Sequence, residues 1–304
     1  GIAPDCNTYS WIDQDGTYIP SWYSEQFRDV VSAYRKMYET GGLDPNFYLK
    51  NPNEVITDFA SGKLGALEYK SSPSSIQLLA EQWELYNDKP FEECVDVLPM
   101  FPAPDGTIYC NSSNPFWSES FISSSVDEKK MERILALFDF LLSEEGLHMS
   151  KYGLETVDYK IDSSGNYTCL LDTNKTSLLT LLENKYPSIV LFSGLATWGG
   201  SDDDFELNEM NFARYGKHCV TLANKDVTWN KEHATLISRP YDFLISPTES
   251  SELFSTTNAF SCFIKAIIGS EPALSIWDEE IDELKKQGLD DYIKRQNDSY
   301  HTLQ

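Results

Sequence analysis

The chain has 304 residues, 41% hydrophobic and 24% charged, enough apolar material for one large or two ordinary globular domains and too much for a disordered tail. Lys and Arg number 24 against 48 Asp and Glu, a net charge of −24, which argues against binding nucleic-acid phosphates or docking on anionic lipid through a basic patch. No apolar run is long enough to span a bilayer. Aromatic residues make up 13%, a proportion that suits stacking on uncharged, ring-bearing ligands as well as an ordinary core.

The opening residues, GIAPDCNTYSW, carry neither the basic nor the apolar stretch of a secretion signal. Residues 24–40 predict an amphipathic helix, with Phe27, Val30, Val31, Tyr34, Met37 and Tyr38 on one stripe and Gly41-Gly42 as its stop. A second short helix is expected over 53–61, with Asn53 as N-cap, ending at Gly62. Lys63 to Tyr69 reads as a strand that feeds Lys70-Ser71-Ser72 and a helix from Ile76 to Leu85. Ser72 would cap that helix and Pro73 would fill its first position. A strand end running into a helix N-terminus presents N–H groups and hydroxyls to polar ligands, although it is also an ordinary βα turn.

Val95 to Met100 predicts another strand, and Phe121-Ile122 a short extended piece. Between them come a Pro-rich turn through Asp105-Gly106 and a polar stretch holding Trp117. A helix is expected over 126–142, with Ile134, Leu135, Phe138, Leu141 and Leu142 as its apolar stripe and Gly146 just past its end. Tyr159 to Leu170 reads as a hairpin turning at Ser164-Gly165-Asn166. Leu178 to Leu182 reads as a helical turn, and Trp198 to Asp204 as a loop. Two helical segments close the chain: Leu253 to Ile268, and Ile276 to Arg295 with an interruption near Gly288.

Little here speaks for covalent chemistry. The four histidines include no HExxH and no metal-ligand pair. No GxSxG, GxxxxGK[ST] or GxGxxG occurs, so neither a metal nor a cofactor is expected. The six cysteines form no CxxC, and fifteen full pairings stay open. The Asp202-Asp203-Asp204 run lacks the spacing of a calcium loop. Trp117 and Trp198 stand in polar segments, where a large aromatic either packs at a lobe interface or stacks on a sugar ring.

Five stretches in order resemble the C-terminal portion of extracellular solute-binding proteins of bacterial ABC importers, the sugar-binding lipoprotein type. They are YRKMYETGGLDPNF (Tyr34 to Phe47), FASGKLGAL (Phe59 to Leu67), LPMFPAPDG (Leu98 to Gly106), LFDFLLSEEGLHMSKYG (Leu137 to Gly153) and the closing run from Phe263 to Tyr300. Two departures stand out. Thr156 occupies a position where the family commonly has glycine, and only about 30 residues precede the first of these stretches, where the family carries a signal, a lipid-anchored cysteine and much of a first lobe. Cys6 follows no apolar run and does not resemble the lipid-anchored cysteine.

The resemblance implies a periplasmic-binding-protein-like (type II) α/β fold, an incomplete bilobal architecture with a helix-rich C-terminal part. Residues 21–110 would lie mainly in the C-terminal lobe, 111–150 would cross to the other lobe, and 151–304 would form a hairpin-containing and helical remainder. It further implies a non-catalytic, monomeric protein that binds an oligosaccharide or other small solute and hands it to ABC permease subunits. That protein would stand outside the cell, held to the membrane only by a lipid anchor this chain does not contain. Tyr69, Lys70, Ser71 and Ser72 fall at the family's cleft-facing turn and are the expected ligand neighbours, with Trp117 and Trp198 as further candidates. A secreted glycoside hydrolase and a surface glycan-binding protein without a transport role are the alternatives. The −24 charge favours a neutral ligand over an anionic one.

Overall fold

A computed structural model describes residues 11–111, 120–188, 202–237, 254 and 256–303. The chain divides into two compact units, one made of residues 1–51, 100–113 and 233–304, the other of 52–99 and 114–232.

The first unit begins with a hairpin, β1 (Trp11–Gln14) and β2 (Thr17–Pro20), in antiparallel register from Trp11↔Pro20 to Gln14↔Thr17. Its turn residues, Asp15 and Gly16, both have positive φ, as the tight turns matching strand twist require. The Asp-Gly dipeptide carries this hairpin, which the periodicity analysis does not reveal. Helix α1 (Glu25–Glu39) starts at Ser24, whose hydroxyl accepts from the Phe27 N–H, and buries Phe27 and Val31 on the expected stripe.

Downstream, where two closing segments are expected, three helices follow. They are Thr256–Ile268, Ala273–Lys286 and Leu289–Leu303, and Gly288 at φ +103° separates the last two. All three pack with α1 and the hairpin around Phe27, Phe263, Trp277 and Leu289. Phe27 sits 5.2 Å from Trp277 and 5.7 Å from Phe263 between ring centroids. Asn297 pairs with the free edge of β2: its amide carbonyl accepts from Tyr18 N–H at 2.7 Å and its NH2 donates to Tyr18 C=O at 2.8 Å. A short parallel pair, Tyr109–Asn111 (β3) with Thr235–Ile237, also belongs to this unit.

Among its described residues the second unit is helical apart from one hairpin. Helix α2 (Pro52–Ala60) begins one residue earlier than expected, which puts Asn53 inside it and proline at its first position. Helix α3 (Pro73–Glu84) has the predicted cap, and α4 (Phe91–Cys94) is a single turn. Helix α5 (Glu128–Leu142) starts after an Asp127 cap. Ser143 then caps α6 (Glu144–Tyr152) directly, so Gly146 lies within a helix and not beyond one. A Cβ on Gly146 would strike the Phe140 carbonyl oxygen, which is why the short path from α5 to α6 needs glycine. The hairpin forms as expected, with β4 (Tyr159–Ile161) and β5 (Tyr167–Cys169) paired from Tyr159↔Cys169 to Ile161↔Tyr167. Helix α7 (Leu178–Lys185) extends the predicted turn. Two helices without a clear sequence stripe follow, α8 (Glu209–Tyr215) and α9 (Lys217–His233).

Three predicted extended segments are irregular. Lys63 and Leu64 both donate their N–H groups to the Asp58 carbonyl, so the start of the expected 63–69 strand is the C-terminal cap of α2. Val95 to Met100 forms no ladder, and Val97 N–H bonds the Asp96 carboxylate instead. Phe121 is 88% exposed, and neither it nor Ile122 pairs. β-rich composition without a partner edge does not make a strand.

Candidate functional site

The predicted site residues Tyr69 to Ser72 form the irregular entry to α3. Tyr69 is half-buried and packs on the cluster built from Ile56, Ile76, Leu79, Phe91 and Leu222. Lys70 is exposed beside it, and Ser71 and Ser72 are half-buried. The Ser72 hydroxyl accepts from Ser75 N–H at 3.3 Å and donates to the Ser75 hydroxyl at 2.9 Å, while the Ser72 carbonyl accepts from Ile76 N–H at 3.0 Å. Ser72 is therefore committed to holding the helix end. The side chains at the turn surface are the Lys70 ammonium, the exposed Ser74 hydroxyl and the part of the Tyr69 ring that solvent reaches. They stand at the positive end of a twelve-residue helix. An aromatic face next to an ammonium and a hydroxyl suits a sugar ring, whose C–H face stacks and whose hydroxyls need polar partners. Trp117 and Trp198 lie outside the described residues.

The stretches that carry the family resemblance form helix ends, turns and packing contacts. Gly41 at φ +74° ends α1, and the Asp44 carboxylate then accepts from Asn46 N–H and pairs with Lys50. Gly62 at φ +77° ends α2, and Lys63 reaches back to Asp58 at 2.7 Å. Asp105 accepts from Thr107 N–H at 2.8 Å and from the Tyr109 hydroxyl at 2.6 Å, closing a turn at Gly106. Trp277 is buried, and its neighbour Asp278 pairs with Arg28 of α1.

A polar knot fixes the exit from α6. Asp158 is fully buried and accepts from Leu154 N–H at 2.8 Å, from the Tyr186 hydroxyl at 2.9 Å and from Lys185. Burial works against its ionisation, and these three donors overcome that, holding the carboxyl below its ordinary value. Gly153 has φ +88°, and a Cβ there would lie 2.5 Å from the Asp158 oxygen. Between them Thr156 has φ +68°, a left-handed conformation that a β-branched residue rarely adopts. The turn thus keeps a glycine-type backbone although this chain has threonine there.

Nearby, the His148 ring is stacked on Tyr152 and edge-on to Tyr159 and Tyr167, with Nε2 3.0 Å from the Tyr167 hydroxyl. Burial pushes the Tyr159 hydroxyl up to about 12, so that hydroxyl stays protonated near neutrality. Burial likewise raises the thiols of Cys219 to about 11 and of Cys262, which also faces Glu280, to about 12, so neither supplies a thiolate near neutrality. No group of three or more metal-ligating side chains occurs among the described residues.

In the first unit a cleft of ≈ 560 Å³ lies between the β1–β2 turn, the start of α1 and the Ala273–Lys286 helix. Within its lining the Arg28–Asp278 pair and Lys285 over the Tyr23 ring tie these elements together. Sequence reasoning passed over this cleft because its residues belong to separate segments and form no motif.

No protein-family model matches the chain. It is 22% identical over 167 residues to Lipoprotein LipO of Bacillus subtilis (strain 168), covering 54% of this chain and 32% of that protein. It is 20% identical over 166 residues to the polygalacturonan/rhamnogalacturonan-binding protein YtcQ of the same organism, covering 52% and 31%. Among solved structures, the alginate-binding protein AlgQ2 without calcium ion superimposes with a TM-score of 0.53 at 16% identity, over 96% of this chain and 58% of that one. The matched segments thus span about a third of each curated relative. In sequence the chain is similar to a bacterial lipoprotein and to a polygalacturonan/rhamnogalacturonan-binding protein, and its fold is α/β, helix-rich and periplasmic-binding-protein-like.

Proposed function

We propose that this chain is part of a solute-binding protein that holds an oligosaccharide without altering it. On this reading the protein stands at a bacterial cell surface on a lipid anchor and delivers its ligand to ABC permease subunits. The observation that carries the proposal is the shared fold with an alginate-binding protein together with the match to a polygalacturonan/rhamnogalacturonan-binding protein. The lobe assignments of 21–110 and 111–150 belong to this reading, as does closure of two lobes over the ligand, driven by higher affinity for the closed state.

In the proposed site Tyr69 supplies the stacking face and Lys70, Ser71 and the α3 N-terminus supply the polar contacts. Ser72 holds the geometry, and Trp117 and Trp198 are proposed as further stacking residues. A charge of −24 opposes an anionic ligand at long range, so a neutral oligosaccharide is the first choice and a polygalacturonate fragment the contrasting one. Tryptophan fluorescence titration against both classes, with chromatography of the recovered sugar, tests the reading. Saturable binding with the sugar recovered whole supports it. Shortened products with turnover would establish a glycoside hydrolase instead.

A further inference from the structure

The cleft of the first unit shares no residue with the proposed glycan site and lies within one compact unit. At ≈ 560 Å³ it falls within the size range of small-molecule sites. Its floor is apolar, with Ile19, Trp277 and Ile281 all buried. Its rim is charged. Asp15 comes from the β1–β2 turn and Glu25 from the start of α1, while Asp278 and Asp282 stand one turn apart on the same face of the Ala273–Lys286 helix. Against these four carboxylates stand two cationic side chains, Arg28 and Lys285.

The two cations are placed differently. Arg28 is spent: its guanidinium donates to both oxygens of Asp278 and lies 3.7 Å from Glu25. Lys285 is held more loosely. Its ammonium lies 5.5 Å from the Tyr23 ring centroid and 4.0 Å from Asp282, and its side chain is 39% exposed. A flexible alkylammonium thus already sits on an aromatic face beside a carboxylate, a pairing that another alkylammonium can make in its place. On the turn wall the Gln14 side-chain oxygen is buried with no hydrogen-bond partner among the described residues, so that wall is short of a donor. The lining holds two more negative charges than positive, in a chain of net charge −24, so an anion is repelled and a dication is drawn in. A neutral polyol gains nothing from that field. We propose that the cleft binds a small linear diamine. One ammonium takes the place of Lys285 on the Tyr23 ring beside Asp282, the other pairs with Asp15 at the turn, and the alkyl stem lies along the apolar floor. The proposal is independent of the glycan reading in both ligand and residues.

Titration calorimetry of the whole chain with putrescine, and with sorbitol beside it, tests the proposal. Saturable one-to-one binding of putrescine is expected, roughly threefold weaker in about 0.3 M than in about 0.05 M NaCl, and none of sorbitol. Asp282→Asn should weaken putrescine binding roughly tenfold, through loss of a carboxylate beside the ring. Lys285→Ala should tighten it roughly threefold, because the internal ammonium no longer competes for the ring and a positive charge leaves the site. A merely structural role for Lys285 would leave the affinity equal or lower. The proposal is overturned by no saturable binding of putrescine, by an affinity that neither substitution moves in the stated direction, or by sorbitol binding at comparable strength.

Discussion

Around Trp277 the first unit gathers apolar side chains from four helices and a hairpin into one cluster. Among its described residues the second unit has two smaller clusters, and beside the one that holds Tyr152 and Tyr159 it secures a turn with the buried Asp158 carboxylate. The difference concerns what each region tolerates. An aromatic cluster loses stability in proportion to the volume removed and is indifferent to pH, whereas a carboxylate knot fails when one partner is lost or protonated. Unfolding of the two units should therefore separate under acid and under mutation.

The largest effect is expected from Trp277→Ala, which removes a buried indole packed on Phe27 and should cost the first unit about 4 kcal/mol in urea unfolding. A loss below about 1 kcal/mol would mean that the cluster does not hold this unit. Asp158→Ala should cost the second unit about 3 kcal/mol, because Leu154 N–H and the Tyr186 hydroxyl lose their acceptor. Acid should act at the same point. The folded pKa of Asp158 lies below its unfolded value, so its stabilisation is complete above roughly pH 4 and disappears as pH falls through the folded pKa. Circular dichroism melts between pH 6 and pH 3 should show this dependence in the unaltered chain and a weaker one in Asp158→Asn.

Ser72→Ala should cost about 1 kcal/mol by removing the α3 cap, and Lys70→Ala should leave stability unchanged. Equal melting temperatures for Ser72→Ala and the unaltered chain would show that the Ser72 hydroxyl does not hold the helix end. The smallest effect has the opposite sign. Thr156→Gly relieves a left-handed threonine and should stabilise the second unit by about 1 kcal/mol.

Much of the helical skeleton was legible because the stripes of α1, α5 and the closing helices have the period of a buried face, and Ser72, Pro73 and Gly288 punctuate them as caps and stops do. Helices α8 and α9 were not, since α9 buries a run, Cys219, Val220, Leu222 and Ala223, at one end only and leaves the rest polar. The strands expected at 63–69 and 95–100 failed for another reason: local composition cannot show whether a partner edge exists. The candidate site was legible as a helix start, but the commitment of the Ser72 hydroxyl to Ser75 appears only in the structure.

Titration calorimetry of the intact gene product with neutral oligosaccharides, beside Tyr69→Ala and Lys70→Ala, addresses the proposed function most directly. Saturable binding is expected, weakened roughly tenfold (about 1.4 kcal/mol) in Tyr69→Ala, with the sugar recovered unchanged. Undiminished affinity in both variants would remove the α3 entry from the site, and the absence of binding to any oligosaccharide, acidic ones included, would contradict the glycan-binding account.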